Sequence, residues 1–387
     1  MAAMNGKATV RARPRDRRAQ ILRTAAALFH EHGYHGVGVD GIAAAVGISG
    51  PALYKHFRGK HDLLWHVIDS GLAAYEAASP AGLGELLDAM VALALERREL
   101  GVLWQRESRN LNAPERAEFR ARLRRGCEHT ARLLAEERPE LGEDEARLLS
   151  WAITAVVSSP SYHRASFEGY PALLRGMLAA VARSTAPVAA PPVPVPQEAP
   201  RERASRREAI LAAAIHLFAR HGFAAVSNDD IGAATGVTGP TVYKHFASKT
   251  EILVTALNRG DDALQLALDR ALTGAPAPAD ALPAVVASYA DFAAGHPDLI
   301  GVLITEVIHL PAEERHANRR KQHLYVAEWT RLLRAVRPEL SQPEALALTH
   351  GALTLVNDLV RLPLTRSRPH RAEELTALAL EVLRAQA

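Results

Sequence analysis

The chain has little that would cross-link it, span a membrane or bind polyanions indiscriminately. Its one cysteine, Cys127, cannot form a disulfide within the chain, which favours a reducing compartment. No apolar run is long enough to cross a bilayer and no signal peptide is present, so we expect a cytoplasmic protein without a membrane partner. The net charge is only +3 over 387 residues, which excludes a general polyanion binder.

Aromatic residues are also scarce, at 5% of the chain, and runs of β-branched residues are few. Hydrophobic residues make up 48%, with alanine and leucine abundant, a composition that favours an all-α protein. At 387 residues the chain is long enough for two domains, each with its own core.

An internal repeat organises the sequence. Residues 47–57 read GISGPALYKHF, and residues 236–246 read GVTGPTVYKHF. Tyr54 and Tyr243 stand 189 positions apart, and the same offset holds without a gap over residues 17–64. Self-similarity of this kind predicts two copies of one structural unit.

Each copy has the pattern of a helix-turn-helix. A glycine, Gly33 or Gly222, ends a first amphipathic helix, and a second glycine, Gly47 or Gly236, lies in a short turn between the next two helices. The apolar stripe of the first helix has the i, i+3, i+4 spacing of a buried face. Its members are Ile21, Leu22, Ala25, Leu28 and Phe29 in the first copy and Ile210, Leu211, Ala214, Leu217 and Phe218 in the second.

The helix after the turn is predicted to read DNA. Ser49 and Thr238 are expected to cap it through their hydroxyls, and Pro51 and Pro240 fall in its first turn. Leu53 and Phe57 should face the core, which turns the next residues outward. The outward residues are Tyr54, Lys55 and His56 in the first copy and Tyr243, Lys244 and His245 in the second. All of these can donate to phosphate, and lysine also to a guanine edge.

Two lysines follow the reading helices. Lys60 and Lys249 stand just before the next helix, where we expect them to hold the DNA backbone beside that helix's amino-terminal amides. The alternative for this whole surface is a solvated helix face without a partner. Its recurrence in register in both copies favours DNA binding.

The pattern G-(I/V)-(S/T)-G-P-x-(L/V)-Y-K-H-F-x-x-K resembles the DNA-binding domain of the TetR/AcrR family of one-component bacterial repressors. The resemblance implies a three-helix head on a helical ligand-binding body, homodimerisation, and release of DNA by ligand. The chain departs from it at Gly50 and Gly239, where many relatives carry Lys or Gln. By matched position the DNA contacts are Ser49, Pro51, Ala52, Tyr54, Lys55, His56, Lys60, Thr238, Pro240, Thr241, Tyr243, Lys244, His245 and Lys249.

The tandem arrangement and residues 101–116, GVLWQRESRNLNAPER, resemble mycobacterial regulators of mammalian-cell-entry lipid-uptake operons. This resemblance implies a hydrophobic effector, such as a fatty acid, an acyl-CoA or a sterol.

The predicted architecture is two tandem TetR-like units, each a helix-turn-helix head and a helical body, paired as an intramolecular pseudo-dimer. The boundaries are a basic arm at 1–14, a first head at 15–62, a first body at 63–183, a Pro/Ala-rich linker at 184–200, a second head at 201–251 and a second body at 252–387. In the first body, helices are predicted at 61–78, 85–100, 102–111, 115–138, 144–158 and 172–183.

The two bodies also resemble each other. The residues after Gly301 match those after Gly101, and the tetrapeptide RPEL occurs at 138–141 and 337–340. Polar side chains on otherwise apolar helices mark candidate effector contacts. These are Trp104, Arg106, Glu306, His309 and Asn357. Interhelical salt bridges or satisfied core polar groups would give the same pattern.

The sequence therefore predicts a transcriptional regulator, a repressor, whose single chain supplies both heads for an imperfectly palindromic operator and responds to a small hydrophobic effector. No metal, cofactor or catalysis is expected, because the zinc spacing His-Glu-x-x-His, a phosphate loop and a Gly-x-Ser-x-Gly elbow are missing. Two alternatives stay open: an architectural DNA-binding protein without an effector, and a sensor with one active head. Cys127, near Arg124 and Arg125, is either a reactive thiol or a passive helix residue.

Overall fold

The computed structural model describes residues 14–77, 80, 82–185 and 205–387. All regular structure within these residues is helical, which confirms the predicted all-α fold with two tandem units. The predicted basic arm lies outside the described residues except for Pro14, and so does the predicted linker except for Ser184 and Thr185.

The described part of the first unit has three helices in the head and six in the body. Two 3-10 turns, at Glu107–Asn110 and Ser159–Tyr162, lie within the body. Its helices are α1 (Pro14–Gly36), α2 (Val39–Val46), α3 (Gly50–Tyr54), α4 (Lys60–Ala77), α5 (Leu83–Glu96), α6 (Leu100–Gln105), α7 (Ala113–Glu137), α8 (Glu143–Ser158) and α9 (Tyr170–Arg183).

The second unit repeats this order, with a 3-10 turn at Val307–His309 and one additional short helix before the last. Its helices are α10 (Arg206–His221), α11 (Asn228–Ala234), α12 (Gly239–Tyr243), α13 (Lys249–Gly274), α14 (Pro278–Gly295), α15 (Pro297–Thr305), α16 (Ala312–Val336), α17 (Gln342–Leu359), α18 (Pro363–Arg366) and α19 (Arg371–Arg384).

Four glycines fix the turns of the heads. Gly47 and Gly236 have φ of 73° and 68°, and Gly47 is in the left-handed conformation that ends α2. Gly33 and Gly222 also have positive φ, as predicted, but their ψ values of 160° and 149° lie outside the left-handed helical region. That combination is almost restricted to glycine, so the chain bends sharply between the first and second helices of each head.

The helix predicted at 102–111 is interrupted. The α6 helix ends at Gln105, and a 3-10 turn follows. In this turn the Glu107 carboxylate points inward and accepts a hydrogen bond from the Tyr34 backbone N–H at 2.9 Å. In the second unit Glu306 accepts the Phe223 N–H at 3.0 Å in the same way. Glu107 and Glu306 are therefore equivalent at an offset of 199, and the sequence match of Gly101 with Gly301 was one residue out of register.

The two units pack against each other through their bodies. Helix α8 lies against α17, and α9 against α19. Small residues allow the close approach: a Cβ atom added to Gly351 on α17 would collide with the Met177 side chain on α9. Met177 is fully buried, as are Val156 on α8 and Leu355 on α17. The apolar faces of both bodies are thus covered within one chain.

Among the described helices, none combines the length and apolar character that crossing a bilayer requires.

Candidate nucleic-acid interface and effector cavity

The reading helices α3 and α12 present the same polar surface. Leu53 and Val242 are buried on the core side, as predicted for the first copy, and Phe57 is 2% exposed. On the opposite side Tyr54 and Tyr243 are 55% and 57% exposed, although tyrosine normally buries much of its ring. A large exposed aromatic repeated in both units indicates a surface that binds a partner.

The other residues predicted to contact DNA surround these tyrosines. Their exposure is matched between the two units. Ser49, Pro51, Lys55, Thr238, Pro240 and Lys244 are exposed, whereas Ala52, His56, Thr241 and His245 are partly buried. The structure therefore gathers these residues on one face of each head, and their contact with DNA stays a prediction.

The hydroxyls of Ser49 and Thr238 do not cap the reading helices. Both residues have the extended backbone of an N-cap, but neither side chain makes a capping hydrogen bond. The Thr238 hydroxyl instead lies 3.1 Å from that of Thr241. The predicted capping role is wrong.

Lys60 and Lys249 lie in a different place from the outward residues. The Lys60 ammonium donates to the carbonyl oxygens of Tyr34 and Val37 at 3.0 and 3.1 Å and lies 4.2 Å from the centre of the Tyr34 ring. Lys249 bonds Phe223 and Val226 in the same way, at 2.7 Å each. Desolvation by burial lowers the pKa of both ammonium groups. Each lysine thus fastens the loop after the first helix to the helix that enters the body.

The glycines that depart from the family pattern have a steric reason. A Cβ atom at Gly50 would lie 2.7 Å from an Asp40 carboxylate oxygen, and one at Gly239 would collide with Asp229. Asp40 and Asp229 begin the middle helix of each head. A lysine or glutamine at the glycine position would displace that carboxylate.

An arginine near the start of the first helix of each head packs over the phenylalanine that follows the reading helix. The guanidinium of Arg18 lies 4.9 Å from the centre of the Phe57 ring, and that of Arg207 lies 4.2 Å from the Phe246 ring. They bring positive charge to the edge of the same surface. Such charge favours a phosphate backbone.

Arg106 joins the first head to the first body. Its Nη2 donates to the carbonyl oxygens of Phe29 and His30 at 2.9 and 2.8 Å, near the carboxyl end of α1, and its Nε pairs with Glu107. Positive charge is favourable at this end of a helix. A movement of α6 would therefore displace α1 as well.

Glu306 of the second unit corresponds to Glu107 of the first, but its ion-pair partner, Arg109, belongs to the first unit. It is 1% exposed, and its carboxylate accepts from Arg109, from the Thr305 hydroxyl at 2.8 Å and from Phe223 N–H at 3.0 Å. His309 lies 3.6 Å from the same carboxylate. These contacts join the two units beneath the heads.

A second polar cluster crosses between the units. Gln105 donates to Asp358 at 2.6 Å, and Arg361 bonds both Gln105 and Asp358 at 2.7 and 2.6 Å. Burial raises the pKa of Asp358, although Arg361 and Gln105 oppose that shift. Hydrogen bonds to both oxygens make this buried carboxyl tolerable.

A cavity of about 540 Å³ lies in the second body, within the volume range of small-molecule sites. Its wall is formed by α13 to α17 and by residues of the first unit, His30, Val102 and Arg106 among them. Of the predicted effector residues, Arg106 and Asn357 line it, whereas Trp104, Glu306 and His309 do not. Trp104 packs in the first body, with its ring centre 5.9 Å from that of Tyr75.

The aromatic wall was not predicted. Tyr289 and Tyr325 line the cavity, and the Tyr289 hydroxyl donates to Asn357 at 2.6 Å. In the sequence both tyrosines fit the apolar spacing of α14 and α16, which is also the spacing of ordinary core residues. Only the neighbouring helices show that space is left beside them.

Two partly buried histidines meet between the units. The rings of His163, after α8, and His350, on α17, stack with their centres 5.0 Å apart. His163 Nδ1 accepts the Ala165 N–H at 3.1 Å, so Nε2 carries the proton and donates to the Tyr170 hydroxyl at 2.9 Å. Burial lowers the pKa of His163 to about 3 and that of His350 to about 4. Both rings are therefore neutral in the folded protein at neutral pH.

These histidines predict a loss of stability in acid. An unfolded histidine binds its proton near pH 6.5 and the folded ones do so only below about pH 4, so the unfolded state takes up more protons in between. The free energy of unfolding should fall from about pH 6.5 downward, by up to ~1.4 kcal/mol per pH unit for each histidine. The free energy of unfolding, measured with urea at pH 7 and at pH 5, should fall less between these values in His350→Gln than in the wild type. His32→Gln, at an exposed site, should leave this fall unchanged, and an unchanged fall in His350→Gln would contradict the assignment.

Cys127 is a passive residue. Its side chain is buried, and burial raises the pKa of the thiol to about 12. The alternative of a reactive thiolate is wrong. Among the residues that the structure describes, no cluster of His, Cys, Asp and Glu is arranged to hold a metal ion.

Comparison with known proteins identifies the heads. Residues 21–67 and 210–256 each match the family model of the bacterial regulatory proteins of the tetR family. The transcriptional activator FasR of Mycolicibacterium smegmatis is 46% identical over 56 residues, which are 14% of this chain and 26% of that protein. This chain thus matches about a quarter of the length of that curated relative.

Solved structures of transcriptional regulators also match this chain. A TetR-family regulator from Bordetella parapertussis 12822 matches with 24% identity and a TM-score of 0.42, over 47% of this chain and 94% of its own. The ketosteroid regulator KstR2 of Mycobacterium tuberculosis matches with 24% identity and a TM-score of 0.38, over 45% of this chain and 97% of its own.

Proposed function

We propose that this chain, a TetR-family transcriptional regulator with two helix-turn-helix heads, supplies both heads for one operator and binds it as a monomer. The observation that carries the proposal is the matched pair of reading surfaces on one chain, centred on Tyr54 and Tyr243. The bodies cover each other's apolar faces through α8, α9, α17 and α19, so a second chain is not needed to complete the unit.

The operator has two similar half-sites. Both reading surfaces carry the same Tyr-Lys-His sequence at the end of α3 and α12, and they differ mainly as Ser49 against Thr238 and Ala52 against Thr241. Nearly identical readers select nearly identical bases, which gives an imperfect palindrome. Heads of a dimeric regulator meet successive major grooves about 34 to 36 Å apart, and we expect that spacing here.

The regulator acts as a repressor in the cytoplasm, and a small hydrophobic effector relieves repression. The cavity of the second body supports an effector, because it is mostly apolar and its wall includes Arg106, which holds α1 of the first head. FasR is named as an activator, but the similarity covers only a quarter of it, so activation is the competing outcome. The resemblance to regulators of mammalian-cell-entry operons stays a prediction.

Selection of binding sites from random DNA tests the proposal. We expect enrichment of an imperfect palindrome, and light scattering of the complex should give one 41.8 kDa chain per operator. Two chains per operator, or two unrelated half-sites, would overturn the proposal that one chain binds a palindromic operator as a monomer. If no sequence is enriched at physiological salt, the architectural alternative replaces the regulator.

A further inference from the structure

We propose that the chain binds one effector molecule, in the second body only, and that this effector acts directly on the first head, that of the opposite unit. The inference rests on the proposed function for its consequence at the operator. The binding site and its contact with the first head stand on the geometry alone.

The equivalent space of the first body is filled. Tyr75 packs edge-on against Trp104, and the Trp104 ring centre lies 6.3 Å from that of Phe119. Gly126 makes room for this cluster, because a Cβ atom there would collide with the Tyr75 ring. A small residue on α7 thus lets large rings occupy the middle of the body.

The second body carries a leucine at two of these positions, whereas at the position of Gly126 it carries the larger Tyr325. Leu264 replaces Tyr75 at the offset of 189, and Leu303 replaces Trp104 at the offset of 199. Both leucines line the cavity. The two bodies of one repeat therefore place their large side chains on different helices, and in the second body the space beside the two leucines stays open.

The lining indicates an apolar ligand with an anionic end. The inner wall is apolar, with Ile300, Leu303 and Leu353 as members. At the mouth, Arg319 and His323 lie on one face of α16 and are exposed. Lys321, also in the wall, lies within 4 Å of the Asp261 and Asp262 carboxylates, whose negative charges offset its positive charge. A carboxylate or sulfonate at the mouth would pair with Arg319.

The cavity touches the first head directly. His30, on α1, is part of the wall, and Arg106 in the wall donates to the carbonyl oxygens of Phe29 and His30. Ile308, a third wall residue, packs over Gly33, since a Cβ atom at Gly33 would lie 2.5 Å from Ile308 Cδ1. Gly33 is the sharp bend between the first two helices of that head.

The second head supplies no residue to the wall described here, but α15, which carries Ile300, Leu303 and Ile304 of the wall, packs against its first helix, α10. Its loop is held by Glu306, which is outside the wall, and by Lys249 at the start of α13. Only the more distant residues 261–265 of α13 reach the cavity. A ligand therefore contacts the first head directly at His30 and reaches Gly33 through Ile308, whereas it reaches the second head only through α15 and α13.

Fluorescence titration with 8-anilinonaphthalene-1-sulfonate, an apolar ring system with one anionic group, tests the site. We expect one molecule bound per chain. Leu303→Trp, which copies the first body, should abolish binding, and Leu303→Phe should weaken it if the tryptophan variant does not fold. Trp104→Leu is the matched change in the first body and should leave the original site intact. Two molecules per wild-type chain, none, or unchanged binding in a folded Leu303 variant would overturn the proposal.

Hydrogen exchange with the same probe tests the coupling. Binding should change the exchange of amides near the carboxyl end of α1 and around Gly33. Ile308→Ala should keep the probe bound but reduce that change, whereas Leu264→Ala, which also shortens a wall residue but on α13, should preserve it. No change at α1 in the wild type would refute the coupling. Operator binding is measured separately on the same variants, so a failure of DNA recognition is distinguishable from a failure of the cavity.

Discussion

Replacing Tyr54 and Lys55 together by Phe and Ala is expected to weaken operator binding by about 150-fold or more, and replacing Tyr243 and Lys244 in the same way should cost as much. A hydrogen bond to a charged group such as phosphate contributes about 1.5–3 kcal/mol, and each variant removes two such donors. Both tyrosines are more than half exposed, so the free energy of unfolding should change little.

The salt dependence gives an independent measure. Each lost lysine–phosphate contact should reduce the slope of log affinity against log salt by about 1. Arg147→Ala is the matched control, because it removes one positive charge from an exposed site on a body. It should leave both affinity and slope unchanged. A pair that is silent in this experiment identifies a head that does not read DNA, and the chain would then be a sensor with one active head.

The repeat made the heads predictable from sequence. Positive φ at Gly33 and Gly47, and the burial of Leu53, follow from local patterns that recur at a fixed offset of 189. Local rules succeed there because the glycine turn and the apolar stripe act within one or two helical turns.

Other features depended on contacts between distant segments. Lys60 looked like a phosphate ligand because it follows the reading helix, yet its ammonium is satisfied by carbonyls 23 and 26 residues earlier in the chain. Trp104 looked like a binding residue, but it packs against Tyr75, whose ring occupies the space left by Gly126. Sequence spacing marks polar and aromatic groups without showing whether a partner already occupies them.

The asymmetry between the bodies follows the same logic. Leucine and tryptophan fit an apolar helical stripe equally well, so the pattern of α6 and α15 is the same whether the body is filled or open. The outcome depends on the summed volume of side chains from several helices. Residues at equivalent positions of a repeat, such as Trp104 and Leu303, do reveal it once the offset of 199 is known.

Glu306 is expected to be important for stability. Glu306→Ala should lower the free energy of unfolding by about 3–5 kcal/mol, because removing one partner of a buried ion pair leaves the other charge uncompensated. Here that charge is Arg109, which comes from the other unit and is 22% exposed, and the Phe223 N–H loses its acceptor as well. Urea unfolding at pH 7 measures the loss.

A double replacement separates the ion pair from the shape of the site. Arg109→Met with Glu306→Leu removes both charges and keeps most of the volume, so it should recover much of the loss seen in Glu306→Ala. Glu107→Ala is the matched control in the first unit, where the carboxylate holds Tyr34 N–H but pairs with Arg106 of its own unit. Both alanine variants should loosen a head, whereas only Glu306→Ala should weaken the docking of the two units. A loss below about 1 kcal/mol for Glu306→Ala would show that this contact is not what holds the units together beneath the heads.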